Sequence, residues 1–377
     1  MDLAEALQQL SPQARKICAA DALPQLKGMA AAGLAPLPPV EMVSVLAILA
    51  AEPSPEIADK ARGTLSGMPE AVLTGAIDQR LAPAVLGLLV GLCRGRDAVL
   101  QKLILSSDLP DEAVIDLARD LQSERLLETI AANEQRMLRC PRIIEALYFN
   151  KAARMSTVDR AIELAVRHGL ELSAIPAFEE VKAAITGQQA ARTDAEPGLE
   201  DLFFTNLLDD ADLAALDAEF VDEVLESRAV GQTGDGDQER KISDVQLDIS
   251  KMSISHKVRL AMLGNATQRA VLIRDSNKTV IMAVLKSPGL GDNEVMRFSR
   301  ARSLPEEALR YVCSRREWTK HYQVKLNLAT NPRTPMQEAL KYLNHLRPSD
   351  LKAVERSRDV PQAIARAARN LRAKRGH

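Results

Sequence analysis

The stretch "NPRTPMQEALKYL" at residues 331–343 decides how the chain is read, because its polar-Pro-acid-Ala-Leu order recurs as "SLPEEALRYV" at 303–312 and "DLPDEAVIDLA" at 108–118. Recurring Glu, Asn and Arg residues would suit a chemical site. The spacing also suits the start of a helix. Thr334 stands where an N-cap accepts a backbone N–H, Pro335 sits at a position that needs no N–H partner, and Gln337 follows three residues on to close a capping box. In "SLPE", Ser303 and Glu306 have the same spacing. First-turn acids favour the positive helix N-terminus, and Arg310 and Lys341 follow further down. Ala308, Leu309 and Val312 then form an apolar stripe that packs on a neighbour.

The copies extend outward from this phrase. "TVIMAVLKSPGLGDNEVMRF" (279–298) aligns with "QVKLNLATNPRTPMQEALKY" (323–342), matching Val280 to Val324, Pro288 to Pro332, Glu294 to Glu338 and Phe298 to Tyr342. "KVRLAMLGNATQRAVLI" (257–273) and "DVPQAIARAA" (359–368) are shorter copies, and "CPRIIEALYFN" (140–150) echoes the phrase in the first half of the chain, ending on Asn150 as "NPRTPMQEALKYLN" ends on Asn344. Copies about 20 to 30 residues apart are the signature of stacked helical repeats.

The order Val-x-x-x-Leu-Ala-x-Asn-Pro-x-Thr-Pro, read from Val324 to Pro335, resembles the leucine-rich repeat variant, and more loosely is similar to HEAT-like α-solenoids. The resemblance implies an all-α fold of stacked helices that act as a binding surface. It implies little about activity.

Composition agrees with a helical fold: of 377 residues 46% are apolar but only 3% aromatic, with a single Trp, so cores are built from small and aliphatic side chains. Charge divides the chain into three. Residues 191–240 hold fifteen acids against three arginines, a net −12, whereas 241–377 hold 27 Lys and Arg against 12 acids, a net +15. Residues 1–187 read as a first helical-repeat block, with starts at Ser11–Pro12 and Ser54–Pro55 and a helix from Ser156 that closes at Gly169. Within it "PPVEMVSVLAILAA" is apolar on nearly every face, as a helix sandwiched between neighbours must be. Residues 188–250 read as an acidic linker, polar and Gly-bearing at both ends. It contains an amphipathic helix near 199–227, whose apolar residues are Leu202, Phe203, Phe204, Leu213, Leu216, Phe220 and Val224. That helix either packs on its own domains or docks a partner. Residues 251–377 form a basic helical-repeat block.

Several chemistries find no support. The adjacent acids Glu306–Glu307 and Asp111–Glu112 point to different sides of a helix, and no nucleophile with an oriented base accompanies them. The five histidines do not pair at i, i+4, and the four cysteines lie far apart, so neither a metal nor a cofactor is expected. "GQTGDGDQER" follows no apolar strand and lacks the Lys-Ser/Thr of a phosphate loop. The N-terminus lacks the order of a secretion signal and the longest apolar run is too short to span a bilayer, which reads as a cytoplasmic protein.

The functional expectation is a non-enzymatic scaffold or adaptor that binds protein partners. The alternative is nucleic-acid binding by the basic block, where Arg297, Arg300, Arg302, Arg315, Arg316, Trp318 and Lys320 make a candidate partner or anion surface. A second cluster at the C-terminus holds Arg366, Arg369, Arg372, Lys374 and Arg375. Aromatics for base stacking are few. The acidic linker is itself a candidate to lie on the basic block, guided by opposite charge.

Overall fold

The computed structural model describes residues 3–186, 204, 207–208, 221, 224, 237–357 and 359–375. Among these the chain forms 25 α-helices and no strand, and it divides into two compact units, Met1–Leu172 and Ser173–His377. Helices run from four residues (Arg316–Thr319) to fifteen (Asp237–Lys251). Single helices of this length are marginal in water, so their stability comes from packing.

In the first unit the helix Pro39–Leu49 is buried without interruption from Met42 to Leu49 and packs against Pro12–Cys18, Pro55–Gly67, Glu70–Asp78 and Pro83–Leu92. This is the sandwiched helix that its unbroken apolar run requires. The helix Met155–Arg167 ends as expected: Gly169 has φ +66°, and Leu170 and Gly169 donate to the carbonyls of Ala165 and Val166 in a Schellman closure. Its start differs, because Ser156 is the second helical residue and no side chain caps it. The helix Phe178–Thr186, which the sequence groups with the first block, belongs to the second unit. It packs there on Ile254–Leu263 and Lys278–Leu285, and its Glu180 accepts from Lys286 Nζ at 2.6 Å.

The recurring phrase starts helices differently from its expected cap. Ser11 does cap, accepting from Ala14 N at 3.3 Å ahead of Pro12, but Ser54 makes no such bond. In "TPMQEALKYL" the helix begins at Met336, and Pro335 rather than Thr334 holds the N-cap position. Thr334 lies one residue outside, buried, with its hydroxyl unbonded. In "SLPEEALRYV" Pro305 is the N-cap and Ser303 is not involved. The residue before the proline explains the phrase: Leu304 and Leu309, like Leu109 and Val114, are buried at the two positions of a hydrophobic staple. The stripe Ala308, Leu309, Val312 is fully buried as expected, whereas Leu340 of the opening phrase is 37% exposed and its seam runs through Ala339, Tyr342 and Leu343.

Successive helical segments are tied by side chains that cap the carbonyl ends of helices 27 to 32 residues earlier in the chain. The last four carbonyls of a helix have no partner within it. Arg96 supplies donors to Leu65 and Met68, Arg136 to Ser106, Ser107 and Leu109, and Arg375 to Asn344 and Leu346. Two asparagines do the same work in the two units. Asn150 Nδ2 donates to Ala118 and Leu121, each at 2.8 Å, and Asn331 Nδ2 donates to Ser299 and Ala301 at 3.1 and 3.0 Å. Each then turns the chain by accepting a backbone N–H two residues on, from Ala152 and Arg333. Asn150 therefore corresponds to Asn331, not to Asn344 as the letter match suggests. Among the described residues no helix is long and apolar enough to cross a membrane.

Candidate functional site

The ends of several helices in the second unit leave a groove of about 1210 Å³. Arg300 closes the helix Asp292–Arg300, and Arg302 follows it. Thr330 closes Tyr322–Thr330, while Leu326 and Ala353 give the groove apolar surface over the buried Val354 and Val360. Arg274 and Gln246 complete it from earlier in the unit. Local sequence explains the cations, since the last turn of a helix favours Arg. At the end of Asp292–Arg300 the carbonyls are met from the neighbouring helix: Asn327 Nδ2 donates to Met296 at 2.8 Å, and Asn331 satisfies Ser299 and Ala301. The guanidinium of Arg300 is thus not consumed as a cap. It is exposed and has no ion-pair partner among the described residues.

Two carboxylates also line the groove. Asp359 binds Arg302 at 2.9 Å with both side chains 62% exposed, and the hydrogen bond from Arg302 holds the Asp359 carboxyl below the usual carboxylate range. Asp350 accepts from the Tyr322 hydroxyl, whose own ionisation is pushed up, first by burial and then by that bond.

The structure separates the seven residues grouped by sequence. Arg300 and Arg302 lie together in the groove. Arg297 is half-buried on the same helix. Arg315, Arg316, Trp318 and Lys320 belong to a different place, around the short helix Arg316–Thr319. There Arg315 lies over the Tyr311 ring at 4.8 Å and donates to its hydroxyl, and Lys320 is 3.9 Å from Asp292, which His321 Nε2 approaches to 2.9 Å. Arg316 is exposed. Trp318 is only 8% exposed, edge-on to Tyr311 at 6.0 Å, so it anchors the local core and offers no surface for stacking. Tyr342 is buried with its hydroxyl donating to Cys313, and Arg347 covers Tyr322 at 4.7 Å. Much of the C-terminal basic cluster is also engaged: Arg369 and Arg372 each reach Glu355 at 3.0 Å, and Arg375 is a helix cap.

Of the linker's apolar residues, Leu202, Phe203, Leu213, Leu216 and Phe220 lie outside the described residues. Phe204 and Val224 are buried, as are Leu207 and Val221. The Phe204 ring meets His256 edge-on at 5.9 Å beneath the guanidinium of Arg259 at 5.1 Å, and Gln268 Nε2 donates to the Leu207 carbonyl at 2.5 Å. Arg259 is fully buried, and a cation–π contact shielded from water is worth on the order of 2 kcal/mol. These contacts join the linker to the basic block of its own chain.

Sequence reasoning did not find Arg274, Gln246, Asp350 or Asp359. One signal existed: Arg274 and Arg302 stand 28 residues apart, each two residues past a helix end. Among the described residues no group of three or more His, Cys, Asp and Glu is placed to hold a metal. Burial pushes the Cys18 thiol up to about 12 and the Cys313 thiol up to about 11, and it raises Cys93 and Cys140 as well. Thiols so raised are weak nucleophiles at neutral pH. No protein-family model and no curated protein matches the chain.

Proposed function

We propose that the chain is a cytoplasmic, non-enzymatic scaffold or adaptor of the α-solenoid type, similar to HEAT-like and leucine-rich-repeat-variant arrays, that binds a protein partner through its second unit. The observation that carries this reading is the groove built from helix ends along that unit, with an apolar surface and a cation left unpaired beside it. Repeat surfaces of this kind bind through shape and a few charged groups rather than through a reacting residue. Nucleic acid is the weaker reading because Trp318 and Tyr342 are buried and arginines cover Tyr311 and Tyr322, which removes the platforms that single strands stack on. The test is affinity capture from the native host with the full chain and with the Arg300→Glu, Arg302→Glu double variant. The reading expects a partner retained by the first and lost from the second. An unchanged set of captured proteins, or turnover of a nucleotide, ester or peptide by the purified chain, contradicts it.

A further inference from the structure

We infer that the groove takes an extended acidic peptide segment, with one carboxylate of that segment on Arg300. The inference rests on the reading of the second unit as a protein-binding surface and names the chemistry of what it binds.

Size comes first. At about 1210 Å³ the groove exceeds the roughly 300–1,000 Å³ of small-molecule pockets. It runs past the ends of four helices, at Leu272, Arg300, Thr330 and Arg356. The helices Asp292–Arg300 and Tyr322–Thr330 pack on one another, and each interaxial step of about 8–10 Å takes roughly three residues of extended chain.

Charge selects the class. Helix C-termini repel anions through their unsatisfied carbonyls, but at the Arg300 end Asn327 and Asn331 have already bonded those of Met296, Ser299 and Ala301. What remains is a guanidinium that forms paired, planar bonds with a carboxylate. Beside it the Arg302–Asp359 pair is exposed on both sides, and such pairs are held weakly. An incoming carboxylate therefore replaces Asp359 on Arg302 at little cost. The groove's own lining, Arg274, Arg300 and Arg302 against Asp350 and Asp359, is net positive, and a positive site draws acidic segments. Half-buried Leu326 and exposed Ala353 then meet apolar side chains between the acids.

The experiment pans a phage-displayed library of random twelve-residue peptides against the full chain, then measures the selected peptides as synthetic, labelled probes. The expected result is enrichment of Asp or Glu among apolar residues. Affinity should drop at least tenfold in Arg300→Glu, with a smaller loss in Arg300→Gln, while the thermal transition of both variants matches the parent. Selected peptides without acids, or peptides that bind Arg300→Glu as well as the parent, overturn the acidic class while leaving a peptide-binding groove standing. Absence of any selected peptide overturns the protein-binding reading itself. A labelled twenty-residue oligothymidine run in parallel that binds more tightly than every peptide, and loses that binding in Arg300→Glu, overturns the inference in favour of nucleic acid.

Discussion

The Asn331 amide nitrogen lies 3.1 Å from the Ser299 carbonyl oxygen and donates to it, which fastens the end of one helix to the turn that follows another 32 residues later. The same side chain reaches Ala301, and Asn327 on the same helix reaches Met296. Replacing Asn331 with Ala leaves two carbonyls without their donor, at a cost of about 1–3 kcal/mol. Chemical denaturation should show this loss for Asn331→Ala and for Asn150→Ala. The exposed Asn344→Ala should stay within about 0.5 kcal/mol of the parent. Equal effects at Asn331 and Asn344 would remove the cross-link from the account.

Thr334 distinguishes a staple from a cap. A capping hydroxyl contributes about 1 kcal/mol, whereas a buried hydroxyl without a partner opposes folding. Because Thr334 is buried and unbonded, Thr334→Val should be neutral or stabilising in the same denaturation measurement. A loss near 1 kcal/mol would restore the cap.

Two glycines should respond with opposite sign. Gly169 has φ +66°, so Gly169→Ala forces a left-handed alanine at a cost of about 1–2 kcal/mol. Gly75 lies inside the helix Glu70–Asp78, with open space where a Cβ would stand, so Gly75→Ala should stabilise by about 0.5–1 kcal/mol. Thermal melts of the two variants should shift in opposite directions.

The cysteines set an alkaline limit. In the folded chain Cys18 and Cys313 ionise near 12 and 11, against an ordinary value of 9.0, with burial as the first cause. Above pH 9 the unfolded chain therefore binds fewer protons than the folded one, so this contribution to stability is complete below pH 9 and is lost as pH rises toward 12. Denaturation midpoints should fall across that window, and they should fall less in a Cys18→Ala, Cys313→Ala variant. A thiol reagent at pH 7 should label buried Cys18 only after unfolding, and half-buried Cys313 more slowly in the folded chain than in the unfolded one.

The helical class was legible because Ala- and Leu-rich periodicity and proline-led starts are local signals, and the stripe Ala308, Leu309, Val312 is buried where they put it. Cap assignment missed by one residue at Thr334, because a proline fits both the N-cap and the first helical turn and only the burial of Leu304, Leu109 or Thr334 tells them apart. Trp318 looked like a surface group because it is flanked by arginines, yet the fold turns its ring into the core. Arg300 and Arg302 were found by charge, but Asp359 lies 57 residues from its partner Arg302, and no local pattern brings those together. Half-legible sites of this kind are expected where successive helix ends, rather than one motif, supply the residues.

The most direct measurement places a photo-reactive benzoylphenylalanine at Ser303 in the groove and, as a control, at exposed Gln25 in the first unit, then maps cross-links in the native host. The expected result is a protein cross-linked from position 303 through an acidic segment, absent at position 25, and lost when Arg300→Glu is added. A cross-linked species that forms equally from both positions, or that persists unchanged with Arg300→Glu, would contradict it.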